Sequence, residues 1–144
     1  MKKKSIFSEN APNPVGPYPH AKQVGNFLFV SGVGPRQKGS DSIPGVELNA
    51  DGSIESYNFE KQAHSVLANI KFILQDAGTT MENVVDVTAF LTNMKDDFGT
   101  FNTIYKMYFK EDQPARTTVE VTALPTPIAI ELKCIAIIKP VEGA

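Results

Sequence analysis

The chain has a single cysteine, Cys134, among its 144 residues. It therefore closes no internal disulfide, and such cysteine usage points to a reducing compartment. Long apolar runs are missing as well. No segment approaches the ~20 residues of a membrane-spanning helix. The basic run Lys2-Lys3-Lys4 reads as a solvated terminus, because Ser5, Ser8, Glu9 and Asn10 break up the next stretch before a signal segment can form. There is no surplus of positive charge: 14 Lys and Arg against 16 Asp and Glu leave a net −2. Phosphate backbones require clustered basic surface, so nucleic acid is not an expected partner. The expectation is a cytoplasmic protein that touches neither membrane nor nucleic acid.

Catalytic signatures are also scarce. His20 and His64 lack the spacing of metal ligands, and no Gly-x-Ser-x-Gly elbow or cysteine beside a histidine supports covalent catalysis. "SGVGPRQ" offers Gly32 and Gly34 but no third glycine, no P-loop lysine and no following helix, so it fails as a phosphate motif. Its glycines let a backbone approach a ligand, and a plain turn explains them equally well. No metal and no cofactor is expected.

What remains is an ordinary globular composition, 42% apolar and 21% charged, sized for one domain over residues 1–144. "KKSIFS" suits a short strand. "ENAPNPVGPYPHA" holds four prolines and suits an ordered loop. "NFLFVSG" reads as a strand stopping at Gly32, and a long loop comes next with a hairpin turn at Asp51-Gly52. Phe59, Ala63, Val66, Leu67, Ile70, Ile73, Leu74 and Ala77 recur at helical spacing between an Asn58 cap and Gly78. "NVVDVTAFLT" alternates as a strand. A second helix fits "DFGTFNTIYKMYFK", starting near Asp96 or Asp97, with Phe98, Phe101, Tyr105, Tyr108 and Phe109 on one stripe. "ARTTVEVTA" and "PIAIELKCIAIIK" complete the strands. The order predicts an α+β fold: two helices packed on one face of a mixed sheet.

Period-two alternation places Ile128, Ile130, Leu132, Cys134, Ala136 and Ile138 toward the helices, and Glu131, Ile135 and Ile137 away from them. Phe90, Ile135 and Ile137 would then form an exposed apolar patch, which predicts self-association through that face. Arg116 and Glu131 are expected on the same side of the sheet. A guanidinium there suits bidentate capture of a carboxylate, and a carboxylate nearby can hold a water or move a proton. An internal ion pair of Arg116 with Glu120 or Glu131 explains the same residues without any function. Tyr18 in its proline loop can wall a pocket or simply pack. Arg36 and Lys38 can serve a site or belong to a solvated loop. Cys134 reads as an inert core thiol.

The stretches "NAPNPVGPYPHA", "FVSGVGP", "KFILQDAG", "ENVVDVTAFLTNM", "PARTTVEV" and "LPTPIAIELKCIAI" together resemble the RidA (YjgF) superfamily of imine and enamine deaminases, from about Ser8 to Ile138. The resemblance implies a chorismate-mutase-like subunit and a homotrimer whose sheets close an inner barrel, with active sites in clefts between subunits. It assigns carboxylate binding to Arg116, the attacking water to Glu131, a pocket wall to Tyr18 and backbone contacts to Gly32, Val33 and Gly34. Where archetypal members carry Arg-Ser-Cys, this chain has Arg116-Thr117-Thr118, and Asp96 falls near the place of a pocket asparagine.

"SGVGPRQKGS" with its downstream "IPG", "ARTTVEV" and "LPTPIAIELK" is similar to the branch containing 2-aminomuconate deaminase. That substrate carries two carboxylates. Arg36, with Lys38 or His20 in reserve, is the expected second cation. The alternatives are a general 2-iminobutanoate/2-iminopropanoate deaminase, a ribonuclease or translation inhibitor, and a non-catalytic module binding a small acid.

Overall fold

The computed structural model describes residues 2–139. Eight strands and two long helices run in the order β1 (Lys3–Ile6), β2 (Ala21–Val24), β3 (Phe27–Val33), β4 (Val46–Leu48), β5 (Ile54–Tyr57), α1 (Phe59–Ala77), β6 (Val84–Leu91), α2 (Met94–Tyr108), β7 (Ala115–Glu120) and β8 (Ile130–Ile137). The main sheet runs β1-β2-β3-β8-β6-β7, and β4 with β5 forms a separate hairpin. All neighbours in the main sheet are antiparallel except β6 and β7, which lie parallel around α2. The expected α+β architecture is the observed one.

The helix caps are local chemistry. The Asn58 side chain accepts from the Lys61 N–H at 3.0 Å. At the other end Gly78 turns left-handed at φ 98° and closes onto Leu74 and Gln75, while Thr79 N–H also reaches the Leu74 carbonyl. This is the Schellman arrangement, and it satisfies carbonyls that the helix leaves open. α2 begins at Met94, two residues before the expected acidic pair Asp96-Asp97. Asn93 is its cap, accepting from the Asp96 N–H, and the side chain of Glu120 accepts from the Met94 N–H at 2.9 Å.

Burial of one helix face against one sheet face holds these pieces together. Leu67, Ile70, Ile73 and Leu74 of α1 meet Leu28, Val30, Leu132, Cys134 and Ala136, all at most 1% exposed. Each buried aliphatic of this size contributes on the order of 1.5–3 kcal/mol. The helical stripe of α2 is narrower than expected: Phe101, Ile104 and Tyr105 are buried, whereas Phe98 stays 38% exposed. Cys134 lies in this core, where desolvation pushes its thiol up to about 12, as suits an inert thiol.

Two strand features depart from the pattern in the sequence. β2 carries Lys22 and Gln23 and has no apolar run to announce it. It forms because Gly25 takes φ 56° in a two-residue turn that pairs Val24 with Phe27. In β6 the ladder slips between Val84 and Asp86, so Val84 and Val87 are both buried although strict alternation would separate them.

The outer sheet face is as apolar as patterning implied. Phe27, Phe29 and Ile137 are 48%, 39% and 47% exposed, and Val119 is 37% exposed. Phe90 and Ile135 are half-buried beside them.

Candidate active site

Two groups of residues emerge, and their charged members, Arg116 and Glu131, lie on opposite sides of the sheet. Ladder partners point the same way. Val87 stands opposite both Arg116 and Cys134, and Val87 and Cys134 are core residues. Arg116 therefore points to the helix side. Phe90 stands opposite both Glu131 and Val119, which places Glu131 on the outer face. The expectation that Arg116 and Glu131 share a face is thus corrected. Alternation tells which residues of a strand go together; which set faces inward depends on pairing, and β7 lies at the sheet edge with its valine outward.

The internal ion pair is corrected too. Arg116 donates from Nη2 to Asn102 Oδ1 at 2.7 Å, and among the described residues none of its hydrogen bonds goes to a carboxylate. Glu120 is occupied at the start of α2, and Glu131 is on the far face. The guanidinium carbon lies 4.7 Å from the ring centre of Tyr105, 5.0 Å from Phe101 and 5.8 Å from Phe98. An aromatic bed of this kind attracts a cation and fixes its plane. Asn102, Tyr105, Lys106, Gln113, Pro114 and Arg116 enclose a recess of about 310 Å³.

The second group gathers where β3 ends. Tyr18, Gly32, Val33, Gly34 and Arg36 line one cavity together with Pro12 and His20. Glu131 lies directly above Gly32: a Cβ there would sit 2.6 Å from Glu131 Oε2, so only glycine admits the carboxylate in this position. Burial pushes the Glu131 carboxyl up from its ordinary range, with no neighbouring charge contributing. A carboxylate that is desolvated without a cationic partner is poised to take up a proton. The cavity itself holds only about 30 Å³, room for little more than a water.

The loop carrying Gly34 and Arg36 is held from α1. Asn69 Nδ2 donates to the carbonyls of Gly34 at 2.9 Å and Arg36 at 2.6 Å, and Ser65 Oγ donates to the Pro35 carbonyl at 2.7 Å. Sequence reasoning did not single out Asn69, Ser65 or Asn102. A polar residue within an apolar helical stripe, Asn69 between Val66 and Ile73, was the available signal.

Other expected site residues sit elsewhere. Asp96 belongs to the start of α2, hydrogen-bonded to the Asn93 amide, and lines a different recess with Tyr57 and Asp97. Asp97 is buried and accepts from the Tyr57 hydroxyl at 2.6 Å; burial raises both groups. Thr118 stands opposite buried Ala89 on the side of Arg116, whereas Thr117 pairs with Thr88 on the outer face. His20 lines the cavity, but its Nδ1 accepts from the Ser8 N–H and its Nε2 donates to the Pro12 carbonyl. Neither nitrogen is spare for an anion, which removes His20 as a reserve cation. Lys38 donates to Asn13 Oδ1 and lines a groove on the helix side, away from Tyr18.

Comparison with known proteins covers nearly all of this architecture. Residues 8–138 match the family described as endoribonuclease L-PSP. The chain belongs to the L-PSP family, the RidA superfamily of the motif resemblance. A RutC family protein from Pyrococcus abyssi is 40% identical over 136 residues, spanning 94% of this chain and 98% of its relative. The mouse 2-iminobutanoate/2-iminopropanoate deaminase is 38% identical, with 96% and 93% of the two chains covered. Among solved structures, Escherichia coli TdcF with bound serine superposes with a TM-score of 0.79 at 31% identity, covering 93% of this chain and 98% of that one.

Proposed function

We propose that this L-PSP family member is a hydrolytic deaminase of 2-imino acids, and that its site is shared between copies of the chain. Arg116 of one copy binds the substrate carboxylate, and Glu131 of the next, above Gly32 beside the Tyr18 cavity, holds the water. The observation that carries this reading is that Arg116 and Glu131 are both strand-borne and partly buried, and neither bonds an opposite charge among the described residues. Structural ion pairs satisfy each other; these two groups are kept apart on opposite faces. Other support comes from the mouse relative, which is named a deaminase of this substrate class, and from serine, an amino acid, bound in TdcF. The apolar outer face and the small volume of the single-chain cavity both favour closure by a second copy, since ligand sites ordinarily enclose about 300–1,000 Å³. A homotrimer with the outer faces lining an inner barrel would provide that closure.

The chemistry needs no further group. Water beside Glu131 gives a proton to the carboxylate as its oxygen bonds to the imine carbon. The resulting carbinolamine takes that proton on nitrogen, and the C–N bond breaks with its electrons going to nitrogen. The hydroxyl proton passes through Glu131 to that departing nitrogen and completes the ammonia, leaving a 2-oxo acid and the carboxylate restored for the next turnover. Orientation by Arg116 and proton transfer by Glu131 are sufficient, because imines are reactive toward water.

A subunit-mixing experiment tests the shared site. Arg116→Ala and Glu131→Gln, each strongly impaired alone, are co-assembled by joint refolding. Recovery of ammonia release from an imine generated by an amino-acid oxidase is expected, because some clefts regain both residues. Absence of recovery from well-assembled mixtures would rule out the shared site.

The finer reading within this proposal is a dicarboxylate enamine such as 2-aminomuconate. Arg36 supports it: the residue lines the Tyr18 cavity and is held in place by donating to the Asn13 carbonyl at 2.7 Å. On this reading Arg36→Ala raises KM for 2-aminomuconate by about tenfold or more while leaving KM for 2-iminobutanoate nearly unchanged. Equal changes for both substrates would assign Arg36 to the loop alone and leave the monocarboxylate reaction as the activity.

A further inference from the structure

We infer that Asn102 is a positioning residue that pre-orients Arg116 for a planar anion; this rests on the reading of Arg116 as the carboxylate binder. Three observations converge. The guanidinium lies against the rings of Tyr105, Phe101 and Phe98, so one of its flat faces is covered. Its edge is tethered by one hydrogen bond from Nη2 to Asn102 Oδ1, at 2.7 Å. Phe98, Phe101, Asn102 and Tyr105 all belong to α2, and a single capped helix therefore sets both the plane and the in-plane rotation of the side chain.

The count of donors shows what this leaves free. A guanidinium has five N–H groups, arranged so that two of its edges present parallel pairs. Asn102 consumes one hydrogen on Nη2. If it is the hydrogen facing Nη1, the Nε–Nη2 edge remains whole; if it is the other, the Nη1–Nη2 edge remains. Either way one complete fork is available, and a carboxylate meets it along the plane of the group, where the N–H bonds point.

A neutral acceptor is essential to this arrangement. An aspartate at the same position would tether the same edge more tightly but would also supply the negative charge that the substrate is meant to bring. Arg116 would then resemble a satisfied ion pair. The amide holds the cation without neutralising it. Pre-organisation of this kind is obtained at the cost of ordering a long side chain in the free protein, so that less is lost on binding.

The experiment uses the full assembly and two readouts, the dissociation constant for 2-oxobutanoate from NMR titration and the kinetics of 2-iminobutanoate hydrolysis. Asn102 is exposed, so its substitution is expected to leave Tm at the wild-type value. Asn102→Ala is expected to weaken 2-oxobutanoate binding about three- to tenfold, as fits loss of one neutral tether. The change falls on KM, with kcat retained. Asn102→Asp is expected to weaken binding more than Asn102→Ala does, through capture of the guanidinium, and high salt is expected to recover part of that loss. Unchanged binding in both variants, with Arg116→Ala still strongly impaired, would overturn the role of Asn102 and leave the proposed function standing. Aspartate performing as well as asparagine would overturn it in the same way. Arg116→Ala with wild-type kcat/KM would instead remove the reading on which the inference rests.

Discussion

Glu131→Gln is expected to lower kcat for 2-imino acids by about two to four orders of magnitude, the range typical of a lost general base. The amide keeps the size and much of the hydrogen bonding of the carboxylate, so it still fits above Gly32, where a Cβ would stand only 2.6 Å from Oε2. It cannot take a proton. Binding of 2-oxobutanoate should stay close to the wild-type value, which separates loss of chemistry from loss of the site. The pH profile supplies an independent check. Burial raises the Glu131 carboxyl, and the reaction needs its charged form. Activity should therefore fall as pH drops through a pKa above the usual carboxylate range of about 4. In Glu131→Gln that acid limb should vanish with the activity. A variant that retains full kcat would place proton transfer on another group and leave Glu131 as a side chain packed above Gly32.

Arg116→Ala is expected to show the other large effect, with a different signature. Removing a bidentate, charge-assisted contact costs about 3 kcal/mol, or about a hundredfold in kcat/KM. The affinity for 2-oxobutanoate should fall in parallel, which it does not in Glu131→Gln. Arg116→Lys keeps the charge but not the fork, and lysine is a poor match for a flat aromatic bed shaped to a guanidinium. It should recover only a small part of the loss. Because Arg116 is at a sheet edge and only half-buried, neither substitution should greatly change Tm. A large fall in Tm would instead indicate that the stacking on Tyr105 and Phe101 is mainly a structural tie between β7 and α2.

The parts of the molecule that were readable in advance share a feature: their physics is local. The stripe from Phe59 to Ala77 with its Asn58 cap and Gly78 terminator needs only helical period and cap chemistry. The Asp51-Gly52 turn is closed by bonds within a few residues, Asn49 N–H to the Ser53 carbonyl and Gly52 N–H to the Asn49 carbonyl. β2 escaped notice because what makes it a strand is its partners. Gln23 is buried at 5% exposure only because its amide donates to the Lys139 carbonyl, 116 positions away. The same holds for Asn69, whose burial makes sense only once the Gly34–Arg36 loop is laid across α1.

The residue order by itself determined the helices, the family motifs and the members of each alternating set, because these depend on spacing along one strand or one turn. Only the tertiary structure decided which set faces the helices, and so that Arg116 looks inward over α2 while Glu131 looks outward above Gly32. A strand's alternation has a period but no absolute phase; ladder register and edge position set the phase, and both are made by contacts between segments far apart in the chain.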